Sequence, residues 1–329
     1  MPRNPITSTL PFDRDGIHHG HLVLPWSRDE SAWGTMRIPI TVMRNGEGQC
    51  ALVTGGNHGD EYEGPLAIVD FARSVRLDDV SGTIILVPFM NYPAFLAGKR
   101  TSPIDGGNMN RIFPGSPDGT TTEKIADYFL NTLLPKAVAV LDFHSGGKSL
   151  EFLPLAASHA LEDEEQRRHC AAARDAFGAP WALTMVEIDN TGMYDTEAEA
   201  MGKTFVTTEL GGAGTTTPET VAIAKRGLRN FLKHVGVLAG EPDFAESKRL
   251  SQPGDHCFCF APEPGMLEPL ISLGETITEE VVVARIWQTG HAGTTPVELQ
   301  AKMDGILISR HVPGLVQAGD CIAVFAVED

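Results

Sequence analysis

The chain is 329 residues long with 42% hydrophobic and 21% charged residues, so it can bury a large core and at this length is expected to form two domains. A formal net charge of -17 repels polyanions and argues against a nucleic-acid or anionic-membrane partner. No apolar run reaches membrane-spanning length, and Met1-Pro-Arg-Asn-Pro lacks the apolar core of a signal peptide; a soluble, cytoplasmic protein is the expectation.

The first 50 residues read as β-rich. His21-Leu-Val-Leu-Pro and Met36–Arg44 have strand character, and Asn45-Gly46 reads as the turn that returns the chain toward a strand at 51–54. His18, His19 and His21 lie close together, but nothing nearby supplies a fixed third ligand, and they read as exposed strand-edge residues. Ala51-Leu-Val-Thr is a short apolar strand ended by Gly55-Gly56, and His58 and Glu61 follow before a helix opens at about Pro65. Two ligand-type side chains therefore sit at the carboxyl end of a strand, where ligands bind in open α/β sheets.

Thr83–Asn91 is an unbroken apolar run, the pattern of a strand covered on both faces. From Tyr92 to about Thr121 the chain reads as a long polar loop, pinned to the body by Ile112-Phe113-Pro114, and its length points to function. Residues 122–135 read as a helix, and Lys136–His144 as a third buried strand that delivers His144 to its end before Gly146-Gly147. A charged helix over Glu162–Phe177, a mixed stretch, a strand ending in Glu209 before Gly211-Gly212, and a helix over Pro218–Val235 complete the alternation. This order predicts an α/β fold with a doubly wound, mixed and mostly parallel sheet.

Gly240-Glu-Pro-Asp and Gln252-Pro-Gly-Asp mark a linker near 240–254, dividing an α/β domain over 1–245 from an all-β domain over 246–329. In the second domain Ala261–Ile277 is echoed by Lys302–Ile322, two half-repeats that resemble the two-fold barrel-sandwich of biotinyl and lipoyl domains. No lysine occupies the middle, Gln288-Thr-Gly-His-Ala-Gly-Thr-Thr, so the domain reads as a structural or oligomer-forming cap rather than a carrier. Cys50, Cys170, Cys257, Cys259 and Cys321 are few, odd in number and scattered, which argues against a disulfide framework. Cys257-Phe-Cys259 also lacks the two-residue gap of a zinc knuckle.

A catalytic zinc ion takes three protein ligands and leaves a fourth position for water. His58 and Glu61 can reach one metal together, and His144 can close the set. Gly55-Gly-Asn-His-Gly-Asp-Glu61, Asn110-Arg-Ile-Phe-Pro-Gly115, Asp142-Phe-His144 and Glu209-Leu-Gly-Gly212, in that order, resemble the succinylglutamate desuccinylase/aspartoacylase family, relatives of the zinc carboxypeptidases. The resemblance covers residues 20 to 240 and implies a zinc-carboxypeptidase-like fold with one zinc ion per chain, held by His58, Glu61 and His144. It makes Glu209 the general base that takes a proton from the zinc-bound water and passes it to the leaving amine. Glu63 competes with Glu61 as a ligand, and the family spacing selects Glu61. Asn110 and Arg111 would grip the substrate carboxylate, to which a guanidinium offers two parallel hydrogen bonds. Arg100 matches the arginine that polarises the scissile carbonyl, although its spacing to Asn110 is longer than in aspartoacylase. Asn108 stands where family members commonly have Asp, which removes a negative charge beside the arginines, and Asp142 shares a strand face with His144 as a carboxylate that could orient it.

The function the resemblance implies is a zinc-dependent amidohydrolase that removes a small acyl group, acetyl or succinyl, from an N-acylated amino acid. The motif wording and the half-repeat domain are most similar to the deacetylases of ectoine breakdown, which act on N-acetyl-2,4-diaminobutyrate. The free amine of such a substrate calls for an acidic partner, and Asp60, Glu63, Asp105, Asp189, Asp195 and Glu197 are the candidates. The alternatives are a carboxypeptidase-type peptide hydrolase using the same machinery and a non-catalytic ligand-binding relative.

Overall fold

The computed structural model describes residues 3–186, 188–243 and 246–329. Its strands begin with β1 (Thr7–Ser8), β2 (Gly16–Pro25), β3 (Thr35–Asn45), β4 (Cys50–Gly55), β5 (Gly82–Val87), β6 (Ala139–Phe143), β7 (Leu150–Phe152), β8 (Leu155–His159), β9 (Trp181–Met185), β10 (Thr204–Glu209) and β11 (Lys248–Ser251). The helices are α1 (Glu63–Ser74), α2 (Tyr92–Ala97), α3 (Thr121–Tyr128), α4 (Glu164–Phe177), α5 (Tyr194–Ala200) and α6 (Pro218–Val235). Among the described residues no helix is long and apolar enough to cross a membrane.

The centre of the large sheet runs β5-β4-β6-β10, all parallel neighbours. These strands are apolar on both faces because both faces are covered. Val53 and Leu141 pack with Phe71, Phe177 and Leu228 of α1, α4 and α6. Leu52 and Val140 point the other way, into Ile125, Phe129 and Tyr194. Around this parallel centre the sheet is mixed: β3 joins β5 and β8 joins β10 antiparallel.

Several local expectations are corrected. Asn45-Gly46 does not close a hairpin onto β4, because β5 lies between β3 and β4. β4 is buried and needs partners on both sides; a parallel crossover through α1 supplies β5 on one of them. The stretch from Tyr92 is not all loop: α2 occupies its start, Asn91 capping it by accepting from the Ala94 N–H, and a 3-10 turn spans Met109–Arg111. Phe113 does pin the rest, at 5% exposure with its ring 5.1 Å from that of Tyr194. The helix after it gives way to a π-turn over Phe129–Leu133. The mixed stretch contains β9 and α5, and β7 and β8 precede the charged helix.

The segment at 240–254 contains β11, which the surrounding Pro and Gly residues conceal in the sequence. β11 pairs parallel with β9 and antiparallel with β19 (Cys321–Glu328), so the large sheet continues into the C-terminal strands. The remaining ones are β12 (Phe258–Phe260), β13 (Gly265–Pro269), β14 (Thr276–Ile277), β15 (Val282–Trp287), β16 (Val297–Gln300), β17 (Gly305–His311) and β18 (Leu315–Val316). β13, β15, β16 and β18 form a second, antiparallel sheet. The half-repeats exchange partners reciprocally: β13 of the first pairs with β18 of the second, and β14 of the first with β17 of the second. Val283 from the small sheet and Leu307 and Phe325 from the large one share a buried core.

Gly64, in the first turn of α1, fixes how closely that helix approaches β6. A Cβ at this position would lie 2.1 Å from the Cβ of Phe143, the residue before His144. Gly64→Ala is therefore expected to lower stability by about 1–3 kcal/mol through overpacking, read as a lower urea unfolding midpoint with an unchanged slope.

Candidate metal and substrate site

His58 and Glu61 lie in the turn between β4 and α1. Gly59 lets that turn meet the end of α2: a Cβ there would lie 2.0 Å from the Ala94 carbonyl carbon, and its N–H donates to the Lys99 carbonyl at 3.0 Å. This bond brings Arg100 over the turn, its Nη1 3.8 Å from Glu61 Oε1. His144 directly follows β6. Thr207 of β10 is in register with Asp142 of β6, so Glu209, two residues on, stands level with His144.

Two imidazoles close on one carboxylate. His58 Nδ1 is 2.7 Å from Glu61 Oε1, and His144 Nδ1 is 3.0 Å from Glu61 Oε2. The outer nitrogens have partners of their own. His144 Nε2 donates to Asp142 Oδ2 at 2.9 Å, and Asp142 also accepts from Thr54 Oγ1 at 2.6 Å and Asn57 Nδ2 at 3.2 Å. His58 Nε2 lies 3.2 Å from Asn108 Oδ1. Both rings thus turn Nδ1 inward, and ligand atoms of His58, Glu61 and His144, all buried, lie within 4.8 Å of one another. Two imidazoles backed by outer acceptors, with one carboxylate between them, fit the donor set of a catalytic zinc ion. Among the described residues this is the group of His, Cys, Asp and Glu side chains so arranged; His18, His19 and His21 are not part of such a group.

The charges of this cluster are strongly coupled. Burial alone would lower both imidazole pKa values, but the carboxylates of Glu61 and Asp142 override it at His144 and hold that pKa well above the usual value. At His58 burial prevails, aided by the Arg100 and His144 charges against Glu61, and the pKa is lowered. Burial would raise the Glu61 pKa, yet His58 and His144 hold it below the usual carboxylate range. Glu63 turns away: its Oε1 accepts from Thr220 Oγ1 at 3.3 Å, and burial pushes its carboxyl up to about 7.

A cavity of about 440 Å³ opens on the cluster, and His58, Glu61, His144, Arg100, Asn110, Arg111 and Glu209 all line it. The Tyr194 N–H donates to Asn110 Oδ1 at 2.9 Å, so the Asn110 amide has its N–H groups to offer an anion. Of the acids considered for a substrate amine, Asp189 and Asp195 line this cavity. Asp60 accepts from the Lys148 N–H and Asp105 from the N–H and hydroxyl of Thr122, each holding local structure. Sequence reasoning missed the far wall, where Phe258, Ile308, Cys321 and Val324 come from beyond residue 246. It also missed Asn108 as a partner of His58, since residues 50 apart in sequence carry no shared signal.

These features define a buried His-Glu-His site at the carboxyl ends of strands in an α/β sheet, the arrangement of a metallohydrolase. The model of the succinylglutamate desuccinylase/aspartoacylase catalytic domain matches residues 47–235. The chain is 50% identical over 325 residues to the N-alpha-acetyl-L-2,4-diaminobutyric acid deacetylase of Halomonas elongata, covering 98% of this chain and 95% of that protein. It superposes on the product-bound ectoine utilization protein EutE (DoeB) of Ruegeria pomeroyi with a TM-score of 0.98 at 54% identity, covering 99% of this chain and all (100%) of that one. A succinylglutamate desuccinylase structure from Silicibacter sp. TM1040 matches with a TM-score of 0.96 at 55% identity over 100% of both chains. The chain belongs to the succinylglutamate desuccinylase/aspartoacylase family.

Asp142 joins three elements through its donors from Thr54, Asn57 and His144. Asp142→Ala would leave those donors buried and unpaired, at about 1–3 kcal/mol each. A loss of roughly 3 kcal/mol or more is expected in urea unfolding of the metal-free protein.

Proposed function

We propose that this chain is a zinc-dependent hydrolase of linear amide bonds that removes the acetyl group from N-acetyl-2,4-diaminobutyrate. The observation that carries the reading is the meeting of His58, Glu61 and His144 with Glu209, Arg100 and Arg111 in one cavity, in a chain half identical to a named deacetylase of that substrate. His58, Glu61 and His144 would hold one zinc ion, which when bound polarises the amide carbonyl and makes water acidic enough to deprotonate near neutrality.

The chain's own groups do the rest. Glu209 takes the proton of the attacking water and hands it to the leaving nitrogen. Arg100 donates to the carbonyl oxygen as negative charge develops there. Arg111 holds the substrate carboxylate through its guanidinium, with the Asn110 amide N–H groups beside it. Asp195, 5% exposed in the cavity wall and fixed by the Thr196 N–H at 2.6 Å, takes the free ammonium, with Asp189 as the outer acid. The proposal includes a catalytic unit over 1–245, a β unit over 246–329 that caps the cavity, and a cytoplasmic location. A cavity of about 440 Å³ lined by Phe258, Ile308 and Val324 from beyond residue 246 suits a small ligand, which favours an acylated amino acid over the peptide-hydrolase alternative.

Amine release from a panel of N-acetyl, N-succinyl and N-formyl amino acids tests the reaction. Fastest release from N-acetyl-2,4-diaminobutyrate, abolished by chelation and restored by zinc, is expected; Glu209→Gln should retain zinc and lose activity by about 10²-fold or more. Turnover surviving in Glu209→Gln would remove the general-base role. Asp195→Asn should raise KM for N-acetyl-2,4-diaminobutyrate by roughly 10–100-fold, the loss of one charge-assisted bond. The KM for N-acetyl-2-aminobutyrate, which lacks the amine, should barely move; equal changes for both would dismiss Asp195 as the ammonium partner.

A further inference from the structure

The two histidines of the cluster differ in what stands behind them. His144 Nε2 is backed by a carboxylate, Asp142 Oδ2 at 2.9 Å. His58 Nε2 is backed by an amide, Asn108 Oδ1 at 3.2 Å. The identity of that atom follows from a second bond: the Asn110 backbone N–H donates to it at 3.2 Å, so it is the oxygen. His58 Nε2 must therefore carry a hydrogen, and Nδ1, 2.7 Å from Glu61 Oε1, is the nitrogen that faces the cluster and is placed to coordinate.

We propose that Asn108 is a positioning residue that sets the orientation of His58 while keeping it the weaker of the two imidazole donors, and that it couples this metal arm to the substrate-gripping turn. The inference rests on the reading of His58, Glu61 and His144 as zinc ligands. An anionic acceptor pulls on the ring N–H and raises the basicity of the opposite nitrogen, whereas a neutral amide orients the ring with much less of that effect. Asn108 is also the cap of the Met109–Arg111 turn, whose Asn110 and Arg111 line the cavity. One side-chain oxygen thus holds the metal arm by one bond and the turn by the other. Asp in its place could make both bonds and would add charge; Ala would make neither.

Zinc affinity, measured by competition with a chromophoric chelator on full-length wild-type, Asn108→Asp and Asn108→Ala proteins, tests this without needing turnover. Asn108→Asp is expected to bind zinc about tenfold more tightly, and Asn108→Ala roughly 10–100-fold more weakly, the range for outer partners of ligating histidines. Asn108→Ala should also raise KM for the acylated amino acid, and Asn108→Asp should restore it toward wild type. Thermal unfolding of the metal-free proteins separates the roles: an Asn108→Ala protein that loses stability but keeps wild-type zinc affinity makes Asn108 a turn cap only and overturns the proposal. So does equal zinc affinity in all three proteins. A wild type with no measurable zinc affinity overturns the proposal together with the zinc reading, whereas zinc binding without deacetylation refutes the substrate assignment alone, and the affinity series still decides this one.

Discussion

Glu61 is a carboxylate held at 2% exposure between two imidazoles, and much of the surrounding structure exists to make that placement tolerable. Taking an ion out of water costs several kcal/mol, which only close, well-oriented partners offset. Each partner must be immobilised in turn. His144 is locked by Asp142, which is locked by Thr54 of β4 and Asn57 of the following turn, while the Ser145 N–H donates to Glu61 Oε2 at 3.2 Å. The chain of restraints closes on itself across the paired strands β4 and β6, which ties the cluster to the sheet beneath it.

A second consequence concerns the C-terminal strands. β7 follows the loop after His144 and pairs antiparallel with β17, setting Phe152 opposite Ser309, and Arg310 donates twice to Glu151 Oε2, at 2.9 and 2.6 Å. The C-terminal residues are thereby stitched to the loop that follows His144. Phe258, Ile308 and Val324 thus line the same cavity as Arg100, Arg111 and Glu209.

The net charge of the whole chain conceals the balance within this cavity. A protein of -17 lines this cavity with Arg100, its Nη1 3.8 Å from the Glu61 carboxylate, and Arg111, as well as with Asp189 and Asp195. Both signs of charge therefore meet in one cavity of an acidic protein.

Local chemistry made a good part of this legible in the sequence. Apolar runs ending in paired glycines marked β4, β6 and β10, and the polar residues placed just beyond them are the ones gathered at the cavity, because a parallel sheet delivers its carboxyl ends to one edge. Helices α4 and α6 were legible as the charged stretch Glu162–Phe177 and the segment opening at Pro218. What the sequence could not show were relations between distant segments. The insertion of β5 between β3 and β4, the concealed strand β11 and the Asn108–His58 bond each depend on which neighbour a segment meets. Side-chain spacing encodes the period of an element and the face it buries, but strand order and cross-chain hydrogen bonds are selected by packing of the whole core, and that selection exists only in the folded chain.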